Sequence, residues 1–415
     1  MNKKIIALAV GSAIGAFGAS AAFAQSSVTL SGTANYYYGL FDNGGAGFTA
    51  GTNPTAAGVA KSKYDGLANQ ESSWALVGEE KLAGGMTAFF RCESTMDITG
   101  SVTSNMCGRN SFVGLKGSFG SINAGTYDTP AKRLTGMYDP FPISATMGQG
   151  AQMWNATTTS ANGDTQKASL ASFSRRQQNL ITYDMPSMNG VDASFAVSAA
   201  NETSTMTTNT TVQKPRLWSA MVNYTNGPLG LGLGYESHHN YNPLGALTYG
   251  GGDDTMISLA AGYQVNSALR LSGIWNQIKY QNVTGKDSSK SATLSGQDMD
   301  VTTWGLYGDW NITGPHRVRL GYSVQDSTKG SFNGQTATAN SQIGSWTGNA
   351  GAGQTGAKKI HVEYINSLSK RTDVGVAYAV ITNDRFSNIT IGTGGTTPNF
   401  GEKSTFMGML IRHKF

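Results

Sequence analysis

An alternation of apolar and polar residues with period two, recurring in segments of about ten residues, constrains this chain more than any other feature. Val28, Leu30, Gly32, Ala34, Tyr36 and Tyr38 share one face, and Thr29, Ser31, Thr33, Asn35 and Tyr37 share the other. Leu229, Leu231, Leu233 and Tyr235 alternate with glycines. Ile257, Leu259, Ala261 and Tyr263 form another apolar face, as do Leu269, Leu271, Gly273 and Trp275. Val318, Leu320, Tyr322 and Val324 oppose Arg317, Arg319, Ser323 and Gln325, and Val374, Val376, Tyr378 and Val380 repeat the pattern. Successive side chains of a strand point to opposite faces, so one apolar face per segment predicts a sheet wetted on one side only.

The connections come in two sizes. Short ones are Ala83-Gly84-Gly85, Gly117-Ser118, Pro186 to Gly190, Asn226-Gly227-Pro228, Val265-Asn266-Ser267, Thr313-Gly314-Pro315 and Ser369-Lys370-Arg371, built from residues that suit tight turns. Long ones, rich in Gly, Ser, Thr and Asn, cover 41–71, 94–106, 128–173, 201–214, 240–252, 281–297, 327–354 and 384–402. Short and long alternate, as in transmembrane barrels with short periplasmic turns and long outer loops. Eight long and seven short connections predict an all-β fold: a 16-stranded antiparallel transmembrane β-barrel with both termini in the periplasm. A barrel of that size encloses water rather than a filled core. A propeller would show a repeat per blade, and none is visible.

Composition fits that architecture. Charged residues make up 13% of the chain, about half the share in an average globular protein, while Gly is abundant at 54. Apolar side chains would face lipid and small polar ones a wet lumen. The first residues read as a cleaved signal peptide over 1–24: Lys3 and Lys4, an apolar stretch from Ile5 to Ala21, then the small-x-small site Ala22-Phe23-Ala24. The barrel domain is then 25–415. The net charge of +5 is too weak to suggest nucleic acid as a partner, and no basic cluster interleaved with aromatics is visible. In an exported chain the two cysteines, Cys92 and Cys107, suggest one disulfide; a metal pair competes but has no His nearby. The pair would clamp the second long loop.

No enzyme constellation is visible: there is no Gly-x-Ser-x-Gly elbow and no phosphate-binding loop with Lys. The five histidines are scattered, apart from the adjacent His238 and His239, which read as solvated residues near a strand end. The run Gly250 to Asp254 reads as a solvated loop, with a divalent cation site as the alternative. No cofactor, metal or catalytic residue is expected.

Several segments resemble the general trimeric porins of Gram-negative bacteria, especially the β-proteobacterial branch. They are Val28 to Gly32, Ser73 to Leu82 with Gly84 to Ala88, Arg109 to Gly120, Leu368 to Asp373, and the C-terminal run from Gly408 to Phe415. The resemblance covers nearly the whole chain after the leader. It implies an outer-membrane homotrimer that passes ions and small hydrophilic solutes by diffusion. Its surroundings would be outer-membrane lipid and lipopolysaccharide. It also implies that barrel-assembly machinery recognises the terminal Phe415, which equally suits an aromatic girdle. A channel selective for one sugar or anion, or a β-barrel membrane enzyme, are the alternatives.

The resemblance further implies that the third long loop, 128–173, folds into the barrel and narrows it. Its start, Tyr138-Asp139-Pro140-Phe141-Pro142, is aromatic and stiffened by proline, and Asp139 matches the acidic residue of the family's inward loop. Opposite it the family arrays bases on the wall. Alternation nominates them: Phe112 and Gly114 to lipid puts Arg109 inward, Ile181 and Tyr183 to lipid puts Arg176 inward, and Ala88 and Phe90 to lipid puts Arg91 inward with Glu93. A charge on the lipid face would cost about 2–4 kcal/mol at mid-membrane. Thr33, Ser73 and Val77 stand where relatives carry bases, so the basic wall is thinner here; Lys132 and Arg133 at the base of the loop are candidates to compensate.

Overall fold

A computed structural model describes residues 27–44, 62–100, 106–141, 173–198, 206–208, 211–213, 216–239, 253–287, 292–329, 342–343, 346–347, 354–385, 387, 389–391 and 401–415. The leader 1–24 lies outside the described residues, as do 142–172 of the third long loop and the Gly250 to Gly252 run.

Sixteen antiparallel strands make the wall. In chain order they are β1 (Ser27–Asn43), β2 (interrupted, Ser62–Asn69 and Ser73–Lys81), β3 (Thr87–Thr95), β4 (Ser111–Gly117) and β5 (Gly120–Asp128). Next come β6 (Arg176–Asp184), β7 (Val191–Ser198), β8 (Arg216–Asn226), β9 (Leu229–His239), β10 (Asp253–Gln264) and β11 (Leu269–Asp287). The last are β12 (Ala292–Thr313), β13 (His316–Gln325), β14 (Ala357–Ser367), β15 (Thr372–Asn383) and β16 (Lys403–Lys414). Each pairs with its neighbours in sequence, and β1 also pairs with β16, from Thr33 opposite Lys414 to Asn43 opposite Ser404. Gly32 and Phe415 complete that join with a reciprocal pair of backbone hydrogen bonds at 2.9 and 3.1 Å. The sheet is therefore closed, which leaves no unpaired edge.

The two faces follow the expected alternation. Leu231, Leu233, Tyr235, Ile257, Leu259, Leu271, Leu320, Tyr378, Met407 and Met409 are exposed on the outside of the wall, where a membrane would cover them. No described helix is long and apolar enough to cross a membrane, so the crossing is made by strands. Tight turns close the short-connection end: Gly227 and Gly314 have φ of 56° and 55°, a conformation that favours glycine although space around them is open.

Several sequence expectations shift. Two segments expected as loops carry strand: 41–71 at 41–43 and 62–69, and 281–297 at 281–287 and 292–297, where β11 and β12 run 19 and 22 residues and reach well past their neighbours. Over 109–115 the faces are reversed. Val113 and Leu115 are the exposed side chains, and Phe112 instead packs inside on Tyr127 and Phe89, with ring centroids 4.7 and 6.1 Å apart. Phe112 to Leu115 is apolar or small on both faces, so alternation alone could not choose the register. His238 is fully buried rather than solvated, stacked on Phe173 at 4.2 Å, while His239 is exposed beside Asp253. Asp253 and Asp254 open β10 instead of lying in a loop, and Asp254 is buried.

Candidate functional site

Two of the bases predicted for the wall, Arg91 and Arg109, meet at Glu93. Arg91 and Glu93 stand two apart on the inner face of β3, with Arg91 Nη2 2.9 Å from Glu93 Oε2. Arg109 reaches the same carboxylate from the approach to β4. The β3–β4 ladder holds as far as Arg91 opposite Phe112. Beyond it the Glu93 N–H donates to the Ser111 hydroxyl (3.0 Å), and the Arg109 N–H donates to the Glu93 carbonyl (2.9 Å). This local bulge, not strict alternation, turns Arg109 inward. Its Nε lies 2.8 Å from Glu93 Oε1, and its Nη2 binds Glu71.

Glu71 occupies the interruption of β2, at φ 57°. The gap is held open by Ser72, whose hydroxyl donates to the Asn35 carbonyl and accepts the Asn35 N–H, both at 2.8 Å. Burial alone would lower the Arg109 guanidinium; Glu71 and Glu93 outweigh it and hold the group above the ordinary arginine value. Two residues earlier the chain is fixed by the Cys92–Cys107 disulfide, with Cα atoms 4.6 Å apart, and by the Cys107 N–H donating to Ser94 Oγ at 2.9 Å. Thr33 faces Ser73, and Val77 faces Arg91, in the ladders beside this cluster, so the neutral positions noted in the sequence border it directly.

Arg176 sits at the root of the third loop. Its Nε donates to Asn110 Oδ1 (2.8 Å) and lies 3.3 Å from Asp128 Oδ1, which also receives Lys132 at 2.7 Å. The register skips between Gly125 opposite Leu180 and Tyr127 opposite Gln177, with Asn179 at φ 52°. Alternation counted from Ile181 therefore does not carry through to Arg176. Lys132 and Arg133 are both neutralised: Lys132 by Asp128, and Arg133 by Asp184 at 2.8 Å, with the Tyr127 ring 5.1 Å below its guanidinium.

The loop enters the lumen as a helix, α1 (Pro130–Tyr138), capped by Thr129 and begun with proline, both favoured at that end. It lies along the inner wall of β8 to β11. Ala131, Leu134 and Tyr138 are buried, the Ala131 N–H donates to Ser219 Oγ, and the Tyr138 hydroxyl donates to Asn223 Oδ1 (2.6 Å). The glycines that alternate with leucines in β9 form the seat. A Cβ at Gly232 would lie 2.6 Å from Leu134, and one at Gly234 3.0 Å from it. Burial also raises the Tyr138 phenol above its usual value.

Past the helix, Phe141 stacks on His361 at 4.0 Å and fills the notch at Gly321, where a Cβ would stand 2.6 Å away. Asp139 accepts the Phe141 N–H (3.0 Å) and is buried beside Tyr307 and Lys359. The sequence placed Asp139 as an acid facing the basic wall; here it faces the wall that carries the loop. Pro142 is outside the described residues.

Sequence reasoning missed a second array, on the inner face of β11 to β16 nearer the short turns. Arg270, Asp309, Arg319 and Glu363 stand directly opposite one another on four consecutive strands. Arg319 lies 2.9 Å from Glu363, which also accepts the Tyr37 hydroxyl at 2.5 Å; Arg317 binds Asp309; Arg412 Nε lies 2.8 Å from Asp373. Arg317 and Arg319 were visible as the polar face of one segment. Their acids were not, because pairing across strands cannot be read from one segment.

A barrel wall closed on itself, with charged side chains on its inner face and a helix laid along it, is the geometry of a channel. A family model described as Gram-negative porin matches residues 7–385. The chain belongs to the Gram-negative porins. This porin is similar to the anion-selective porin from Comamonas acidovorans, at 25% identity and a TM-score of 0.67 over 94% of this chain and 100% of that one. It shares its fold with OmpT of Vibrio cholerae in a trimer form (11% identity, TM-score 0.59, 94% and 99% covered). It also shares it with Salmonella typhi OmpF in complex with daunomycin (14%, 0.57, 94% and 97%). No curated protein sequence matches the chain. The porin is an outer-membrane channel that crosses the membrane as a 16-stranded barrel.

Proposed function

We propose that this porin is a general diffusion pore of weak ion preference, narrowed by the first part of its third long loop. The pairing of luminal charge carries the reading. Arg91, Arg109, Arg176, Lys132 and Arg133 each lie within ion-pair distance of a carboxylate. A paired charge presents a dipole to a passing ion, and a dipole's reach falls off faster than that of a bare cation. Acids and bases set close together still orient dipolar solutes and disfavour apolar ones, which cannot replace the hydrogen bonds of water there.

A homotrimer accompanies this reading. On the outer side of β1, Tyr36 is buried with its hydroxyl donating to the Met96 carbonyl (2.6 Å), so the disulfide-clamped second loop lies against the wall at a level where lipid would otherwise sit. That is the surface we assign to subunit contact, testable by cross-linking in detergent. Outer-leaflet lipopolysaccharide and assembly machinery acting on Phe415 are the remaining partners it implies.

Planar-bilayer recordings of purified protein under a salt gradient test the central claim. We expect stepwise conductance, a small reversal potential, and linear dependence on salt. A reversal potential near the chloride equilibrium value, or saturable block by one solute, would replace it with a substrate-selective channel.

A further inference from the structure

We propose that Arg270 sets the residual anion preference of this pore, as the point where small anionic solutes such as carboxylates meet an unbalanced charge on the wall. The inference rests on the diffusion-pore reading above. Leu271 is exposed outside the barrel, and Arg270 is on the opposite face with Ser272 and Ile274, both of which lie against the inner layer. The side chain is exposed, and its guanidinium lies over the Tyr138 ring at 5.8 Å. Its Nη2 donates to the Met137 carbonyl at 3.3 Å, at the C-terminal end of α1, where a helix favours a cation. Gly262 on β10 leaves the space: a Cβ there would stand 3.2 Å from Nη2.

The acid directly opposite Arg270 in the ladder is Asp309, and it is committed elsewhere. Its two oxygens receive Arg317 as a fork, and Arg319 Nε lies 3.8 Å away. Arg319 is in turn bound to Glu363. Along these four strands three guanidiniums stand beside two carboxylates: Arg317 and Arg319 take both, and Arg270 is left without a carboxylate partner among the described residues. Arg91, Arg109 and Arg176, the bases of the expected wall, are all paired. An unpaired exposed cation attracts anions over about a Debye length, roughly 8 Å at physiological salt, whereas the paired ones largely cancel.

The guanidinium also holds the end of α1, so the test must separate charge from clasp. Chloride-over-potassium permeability ratios are measured in bilayers for the wild type, Arg270→Gln and Arg270→Lys. Removing one unit charge close to the ion path is expected to lower the ratio about two-fold in Arg270→Gln. Arg270→Lys keeps the wild-type ratio. An unchanged ratio in Arg270→Gln overturns the proposal. So does an equal fall in Arg270→Lys, which would mark a helix clasp. Wild-type protein that forms no channels would instead sink the diffusion-pore reading on which all of this stands.

Discussion

Arg109 ties together parts of the chain that are distant in sequence: the interruption of β2 through Glu71, the face of β3 through Glu93, and the disulfide through Cys107 two residues before it. Its guanidinium is held above the ordinary arginine value, so its positive charge is retained well into basic pH. The sign is that of a raised group: the pairing is complete below the unfolded value and is lost only on passing the still higher folded one. Selectivity should therefore stay flat from pH 7 to 9, measured as reversal potential. Replacing Arg109 alone by Gln leaves Glu71 and Glu93 facing the lumen short of a partner. Reversal potentials should then move toward cations, and Arg176→Gln should do the same through Asp128; unchanged values in both would detach these residues from ion passage. The inward position of Arg91 was legible because a charge facing lipid is costly. The second carboxylate on Arg109 was not. Glu71 lies in a stretch that reads as loop, and its placement depends on a backbone interruption whose cause, Ser72 bridging Asn35, is a contact between residues 37 apart.

At the scale of the element, α1 and β9 fit each other by subtraction. Gly230, Gly232 and Gly234 have no side chains because Leu134 and Tyr138 occupy that volume. The alternation of glycine with leucine was plain in the sequence, but its reason comes from a helix almost a hundred residues earlier, and no local pattern reveals it. Gly232→Val should clash with Leu134 and cost about 1–3 kcal/mol, the range for overpacking. Proteolysis within 128–173 should become faster and single-channel conductance should change; identical conductance and protection would show that the helix does not need this seat. The disulfide acts on a different loop. It closes a separation of 15 residues, worth about 3 kcal/mol in the chain-entropy model. Cys92→Ser with Cys107→Ser should lower the thermal unfolding temperature while leaving conductance near wild type. The long hairpin of β11 and β12 was misread as a loop because polar residues alternate with polar there once the strands pass beyond the lipid level, and period two loses its apolar face.

At the scale of the whole molecule, sixteen strands could be counted from the sequence because connections alternate between short and long, and the count does not need exact strand limits. What could not be counted was how the ends meet. β1 and β16 are paired along eleven consecutive positions, and Phe415 lies over Gly32, where a Cβ would stand 2.4 Å from its ring. Phe415→Ala should keep the strand register but slow closure. The heat-modifiable folded band on electrophoresis should accumulate more slowly during refolding, with the final yield less affected. Equal rates would confine Phe415 to the membrane boundary.

That join has a consequence for the cell as much as for the protein. The first strand takes the last as its partner, so a chain cut short before β16 lacks the strand that closes the wall. Such a copy keeps raw edges, prone to stick to other chains.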